Sequence, residues 1–247
     1  MAALISTYSG YIALSFLPPL VWLLFWLQED RRHPEPKHLI LLTFVAGIAA
    51  AVLAASSELV LFGRPPLLSG LAHRLAPALL ALPGLVLGGV ALIEEYLKYA
   101  AVKFAVLSRR EFDEPVDAMV YMVTAALGFA AVENVLFLTP VFGGGFVGGV
   151  ELTISRFWGA NLLHAFSSAI VGYAIARHHW SPWRKHAVAA GVITASVLHA
   201  LFNSLILTKD TLPASFLLLV VLLLIMAVVV FADFERLKKK SPISTNS

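Results

Sequence analysis

The stretch GGVALIEEYLKYAAVK, residues 88–103, decides how the rest of this chain is read. It sets Glu94, Glu95 and Lys98 inside a segment otherwise as apolar as a membrane-spanning helix. A charged side chain near the bilayer centre costs roughly 3 kcal/mol or more, so an ionisable group at that depth marks a functional site by default. Two adjacent carboxylates with a lysine one turn later strengthen that reading. Other polar residues at the same depth would complete such a site.

The surrounding composition places the segment in a membrane. The chain has 247 residues, 59% of them hydrophobic and only 13% charged, with a mean hydropathy of +0.84. Several apolar runs of about 20 residues can each cross roughly 30 Å of hydrocarbon, which predicts an all-α, polytopic helical membrane protein. No polar stretch is long enough for a second folded domain, so residues 1–247 read as one integral membrane domain. The chain has no cysteine, which excludes disulfides, thiolate metal sites and a cysteine nucleophile. A pI near 9.2 does not point to nucleic acid, because basic residues of membrane proteins gather in cytoplasmic loops. The first apolar run lacks a basic leader and an A-x-A-like cleavage site, so it reads as a retained span.

Seven spans are expected, over 6–27, 39–62, 84–107, 116–138, 157–177, 186–207 and 214–234. The helices within 84–207 carry the polar residues; 6–27, 39–62 and 214–234 are accessory. Pro18-Pro19 should kink the first span. Residues 67–82 (LLSGLAHRLAPALLAL) read as an interfacial or re-entrant segment, with an eighth span as the alternative. With the N-terminus outside, the inside segments hold Arg31, Arg32, Lys37, Arg109, Arg110, Arg177, Arg184, Lys185, Arg236, Lys238, Lys239 and Lys240. The outside segments hold only Arg64, Arg74, Arg156 and Lys209. That asymmetry favours N-out and C-in, and an eighth span would break it.

Three later spans carry further polar residues that lipid would reject. The fourth has Glu133-Asn134, the fifth His164 and Ser168, the sixth His199 and Asn203. Counted from the outer ends of the spans, these groups lie roughly 8–16 Å deep at 1.5 Å rise per residue. They share helical faces with small residues: Gly84-Gly88-Ala91-Glu95, Ala126-Ala130-Glu133/Asn134, Ala160-His164-Ser168-Gly172 and Gly191-Ala195-His199-Asn203. Small-residue stripes are where membrane helices approach closely, so the polar groups are expected to converge inside the bundle.

Plainer explanations cover some of these features. A lone His or Asn in a span is usually an interhelical hydrogen bond, and Glu94–Lys98 at i,i+4 can simply neutralise itself. Neither accounts for three glutamates and two histidines at one depth. Arg156 reads as an interfacial snorkelling residue, and GGGFVGG at 143–149 as a flexible connection rather than a lid. Asp113, Glu114 and Asp117 read as helix-capping acids at the start of the fourth span.

This set supports hydrolysis. A carboxylate in a low-dielectric cavity can act as general base to water, a second acid or Lys98 can hold the proton balance, and His or Asn can stabilise an oxyanion. No serine stands with a histidine and an acid in an order that compels a triad. Two histidines and a glutamate also match the ligand types of a catalytic zinc, although no H-E-x-x-H is present.

The motifs EExxK (Glu94, Glu95, Lys98), FDEPVDAMVY…GFAAVENVLF, RFWGANLLHAFSS and HALFN, in this order over about 90–205, resemble the PrsW family of intramembrane proteases. That family is related to the CAAX prenyl endopeptidase and Abi-type membrane proteins. The resemblance implies a bacterial protease of the cytoplasmic (inner) membrane that cuts single-span, membrane-anchored substrates on the extracytoplasmic side, as in site-1 cleavage of an anti-sigma factor. It implies Glu94 and Glu95 as the catalytic pair, Glu133, His164 and His199 completing the site, and Lys98, Asn134 and Asn203 in support. It leaves open a metal-free glutamate mechanism and a divalent metal such as zinc on Glu133, His164 and His199. Ala118 and Met122 depart from positions where the family often has Gly, which affects packing alone. Between the paired acids, Glu95 is the expected base because it shares a face with Gly84, Gly88 and Ala91, leaving Glu94 to pair with Lys98. A proton-coupled transporter would predict inverted repeats, which the sequence lacks; a non-catalytic scaffold of the same fold would be expected to have lost one of these acids or histidines, and all are present.

Overall fold

The structure, a computed structural model, describes residues 2–29, 34–61, 83–178, 181–209 and 211–239. Among the described residues there are eight helices and no strand: α1 (Ala2–Glu29), α2 (Lys37–Leu61), α3 (Pro83–Ala105), α4 (Asp117–Gly144), α5 (Phe146–Trp158), α6 (Ala160–Arg177), α7 (Arg184–Thr208) and α8 (Pro213–Lys238). The segment 67–82 lies outside the described residues.

Among the described residues, six stretches are long and apolar enough to cross a membrane: Gly10–Glu29, Lys37–Leu61, Asp117–Phe142, Phe146–Arg177, Arg184–Thr208 and Ala214–Lys238. α3, at 23 residues, is long enough but carries Glu94, Glu95, Lys98 and Lys103. The molecule is therefore an integral membrane protein of helical type.

α4 is the axis of the bundle. From Val116 to Ala131 every residue is buried, because the sequence there is apolar or small on all sides and so has no face to offer water or lipid. α1, α2, α5 and α6 all pack on it, and α3 touches it while packing mainly on α2 and α7. The α2–α4 crossing requires two glycines. A Cβ on Gly47 would lie 2.0 Å from the Ala125 carbonyl oxygen, and one on Gly128 would lie 2.1 Å from that of Phe44. Backbones in contact at this range leave room for hydrogen alone. Gly172 meets α4 in the same way, 2.7 Å from the Ala118 carbonyl oxygen. Gly84 and Gly88 make no such approach among the described residues: a Cβ at either meets none of them within 4 Å.

α8 shows the opposite pattern from α4. Leu219, Leu222, Met226, Val230, Phe234 and Leu237 are buried at three- and four-residue spacing, while Leu217, Leu224, Ile225 and Val228 on its other faces are exposed. A helix with a mean hydropathy of 3.3 over its span can leave those faces bare only in lipid. Trp26 of α1 joins it to the bundle, stacked on Phe231 at 5.2 Å and edge-on to Phe166 of α6 at 6.3 Å. At the other end of α4, Asp117 Oδ2 accepts hydrogen bonds from the backbone N–H groups of Asp113 and Glu114 at 3.0 and 2.8 Å. The expected helix capping by Asp113, Glu114 and Asp117 is not what forms: Val116 is the N-cap without a side-chain bond, and the Asp117 carboxylate instead fastens the turn that precedes the helix. Tyr121 adds a hydrogen bond to Glu35 between α1 and α2.

One expectation is corrected here. The Gly-rich segment 143–149 is not a loop: Gly145 alone breaks the helix, with φ of +154°, and α5 starts at Phe146. Glycines in an apolar segment are tolerated in membrane helices because little else can satisfy their backbone groups. Gly149 is packed so tightly on Phe142 that a Cβ would fall 2.0 Å from the ring. The expected span over 157–177 is essentially α6, and α5 precedes it across Gly159, the two making one apolar stretch, Phe146–Arg177.

Candidate active site

The break at Gly159, the α4 axis and the α3–α7 contact together bring four helices to one point. α3 contributes Glu94, Glu95 and Lys98; α4 contributes Glu133 and Asn134; α6 contributes His164, Ser167 and Ser168; α7 contributes His199. Glu94, Glu95, Lys98, Asn134, His164 and His199 are all buried, and the Glu133 side chain keeps 19% exposure.

Glu95 accepts four side-chain hydrogen bonds. Its Oε1 accepts from Lys98 Nζ at 2.9 Å, His199 Nδ1 at 2.9 Å and Ser167 Oγ at 2.9 Å; its Oε2 accepts from Ser168 Oγ at 3.2 Å. Lys98 also reaches His164 Nδ1 at 2.8 Å and lies over the Phe129 ring at 4.4 Å from its centroid. The other nitrogen of His164, Nε2, is 2.8 Å from Glu133 Oε2, and that oxygen accepts from Arg156 Nη2 at 2.7 Å. Arg156 Nε donates to Asn134 Oδ1. Bonds therefore run without a gap from α7 through α3 and α6 to α4 and α5.

Proton positions follow from these partners. An ammonium at Lys98 donates, so His164 Nδ1 accepts and Nε2 carries the proton given to Glu133. His199 Nδ1 donates to the Glu95 carboxylate, which leaves its Nε2 with a free lone pair. That nitrogen lies 3.6 Å from Glu94 Oε2. Glu94 is the exception to the pattern of saturation: among the described residues its buried Oε2 has no hydrogen-bond partner and approaches Lys98 Nζ no closer than 3.6 Å.

Glu94, Glu133, His164, His199 and Asn203 line a cavity of about 470 Å³, walled by Leu87, Val90, Phe129, Leu163 and Phe202 among others. A largely apolar cavity with a few converging polar groups is the usual form of a reaction site.

One residue differs from its expected role. Arg156 is not an interfacial snorkelling side chain: it is buried, paired with Glu133 and set 4.7 Å from the Phe137 ring centroid. Its misreading follows from that of the Gly-rich segment, since a loop there would leave Arg156 at a span's outer edge, whereas α5 turns it inward. Lys98 makes the expected ion pair with Glu94, at 3.6 Å, and beside it a closer hydrogen bond to Glu95 at i,i−3. Sequence reasoning also passed over Ser167, Glu58 of α2 on the cavity wall, and Asn161, which accepts from Asn134 Nδ2 at 3.3 Å and donates to the Arg156 carbonyl at 2.9 Å. Glu58 had a legible signal: Gly47-Ala51-Ala54/Ala55-Glu58 is a small-residue stripe ending in an acid.

Fold and site together define a membrane-embedded hydrolase class: a polytopic helical bundle with an acid–imidazole centre buried beside a cavity. The family model described as PrsW family intramembrane metalloprotease matches residues 35–232, and the chain belongs to that family. It is a peptidase. The chain is 28% identical to "Protease PrsW" of Geobacillus kaustophilus over 200 residues, 81% of this chain and 80% of the relative. Proteins of the same name from Oceanobacillus iheyensis and Bacillus subtilis are 29% and 27% identical over 46% and 45% of this chain, covering 50% and 49% of theirs. No solved structure matches the chain.

The family description raises a metal, and the residues here fit one. One donor atom each from Glu94, His164 and His199 lie within 4.8 Å of one another. One carboxylate and two imidazoles form a three-ligand zinc set, and the unbonded Glu94 Oε2 and the lone pair on His199 Nε2 already face each other. Glu95 on His199 Nδ1 is the outer partner that fixes a ligating imidazole. His164 would have to exchange one of its two present bonds. The grouping centres on Glu94 where the sequence suggested Glu133; here Glu133 is held by Arg156 and His164.

Proposed function

We propose that this protein is an intramembrane endopeptidase that hydrolyses a peptide bond of single-span, membrane-anchored proteins, with water activated at Glu94. The observation that carries the reading is the contrast between the paired acids. Glu95 has four donors and no free capacity near the cavity, whereas Glu94 faces the cavity with a buried, unbonded oxygen. A desolvated carboxylate without a partner is poised to take a proton, so it suits a general base. The geometry thus supports Glu94, not Glu95, as the acid that meets water, and supports Glu95 as the group that orients His199 and holds Lys98.

In this scheme Glu94 Oε2 receives the proton of the attacking water. His199 Nε2, fixed by its Nδ1–H bond to Glu95, orients that water. His164 Nε2–H, now given to Glu133, and Asn203 are the donors within the cavity for the developing oxyanion. Glu133, ionised between Arg156 and the His164 Nε2–H, holds that imidazole in place, and the proton that Glu94 takes from water is the one passed to the leaving amine. A divalent ion, where bound, would rest on Glu94, His164 and His199 and would supply Lewis acidity to water and carbonyl. Loss of the Glu94 carboxylate stops hydrolysis with or without such an ion.

The remaining placement is part of the same proposal: seven spans including α3, N-terminus outside, C-terminus inside, in a bacterial cytoplasmic membrane, with cleavage nearer the extracytoplasmic side as in the first cut of an anti-sigma factor. Its supports are the Lys/Arg asymmetry and the position of the acids within the outer half of the spans. A test is cleavage of tagged single-span proteins by the purified chain in liposomes; a wild type that cuts none of a broad panel sinks the proposal.

A further inference from the structure

One wall of the cavity is not used by the centre described above. Glu58 of α2 lines it, and its Oε1 is buried without a hydrogen-bond partner among the described residues. The cations of the cavity are committed elsewhere: Lys98 is bonded to Glu95 and His164, and Arg156 to Glu133 and Asn134. Lys209 lines the same cavity from the C-terminal end of α7 and makes no hydrogen bond to Glu58 Oε1. Nor does Glu58 belong to the group of donor atoms that converge from Glu94, His164 and His199. It faces the cavity as a separate carboxylate.

The surface leading to Glu58 is made of small side chains. Ala51, Ala54 and Ala55, at seven, four and three residues before it, line the same cavity and so share its helical face. A strip that is apolar and shallow, ending in a carboxylate, complements a side chain with a long methylene stem and a cationic head. Lys and Arg are such side chains, and single-span proteins carry them at the ends of their spans.

We propose that Glu58 and its alanine strip form a substrate subsite that takes a Lys or Arg side chain close to the scissile bond, so that Glu58 sets the specificity of the cavity. The subsite rests on the peptidase reading above. The energetic reason is that Glu58 Oε1 has already given up water without gaining a partner. A substrate cation therefore restores a bond at that oxygen without displacing one.

The test uses the full chain in liposomes with tagged single-span substrates whose cut site is fixed by mass spectrometry. Each residue flanking that site is then changed in turn to Lys, Met or Glu. At one flanking position the wild type should favour Lys over Met by roughly tenfold or more in kcat/KM, mainly through KM. Glu58→Gln should bring that ratio towards one, and Glu58→Lys should turn the preference to Glu. Equal cleavage of the Lys and Met substrates at every position overturns the subsite, and so does a Glu58→Gln variant that keeps the full Lys preference or slows all three substrates alike. If the wild type cuts and Glu94→Gln does not, those results defeat the subsite alone. A wild type that cuts nothing defeats both readings.

Discussion

Glu95 Oε1 lies 2.9 Å from His199 Nδ1, and this one contact decides which nitrogen of the imidazole faces the cavity. With Nδ1 donating to the carboxylate, Nε2 is left as a lone-pair donor 3.6 Å from Glu94 Oε2. In the proposed scheme, neighbouring glutamates on one helix take different work: one orients, the other reacts.

The two glutamates should separate in stability as well as in activity. Glu95→Gln leaves Lys98, which is fully buried, without its carboxylate. Breaking a buried pair on one side costs about 3–5 kcal/mol, so a clear fall in thermal midpoint in detergent is expected along with lost activity. Glu94→Gln removes no hydrogen bond from Oε2 and should unfold within about 1 kcal/mol of wild type. Equal destabilisation by both would contradict the division of roles.

Arg156 should behave as a structural part of the site. Arg156→Ala strips Glu133 of its guanidinium and Asn134 of a donor, with an expected loss of about 2–5 kcal/mol and strongly reduced cleavage. Arg156→Lys restores the charge but not the two-pronged bonding, and should recover stability only in part. A fully active Arg156→Ala protein would return Arg156 to the membrane surface.

The α2–α4 crossing gives a packing test. Gly47→Ala and Gly128→Ala each drive a methyl to about 2 Å from a backbone carbonyl oxygen, which the helices can relieve only by moving apart. Overpacking of this kind costs roughly 1–3 kcal/mol or more. Gly88→Ala, with open space around it, should be neutral or stabilise by roughly 0.5–1 kcal/mol. Thermal unfolding of the three variants decides the point.

Metal content is a separate readout. If an ion rests on Glu94, His164 and His199, the purified protein should hold about one zinc per chain by elemental analysis. His199→Ala should lose it, and Glu58→Gln should not. Zinc retained by His199→Ala would place the ion elsewhere.

The chain of polar residues was legible in the sequence because lipid makes every buried acid or imidazole conspicuous: Glu94, Glu95, Lys98, Glu133, His164 and His199 are found together. The same contrast hid Arg156 and Glu58. An arginine near a span's end has a ready surface explanation, and an acid near the end of α2 looks like one facing water. Helical register could not rank Glu94 and Glu95 either, since adjacent residues point about 100° apart and the choice depends on where α6 and α7 supply donors. The Gly-rich 143–149 segment misled for a further reason: glycine signals a loop in water, but in an apolar setting close packing on Phe142 keeps it helical.

The most direct test of the central claim is single-turnover cleavage of a tagged single-span substrate in liposomes by wild type and Glu94→Gln, with and without 1,10-phenanthroline. Removing a positioned base lowers the rate by roughly 100- to 10,000-fold, and that fall is predicted for Glu94→Gln in a protein that is still folded. Cleavage unaffected by the chelator would identify Glu94 as base to a metal-free water; cleavage lost to it and restored by zinc would identify Glu94 as a ligand. A folded Glu94→Gln protein that cleaves at the wild-type rate would contradict the account.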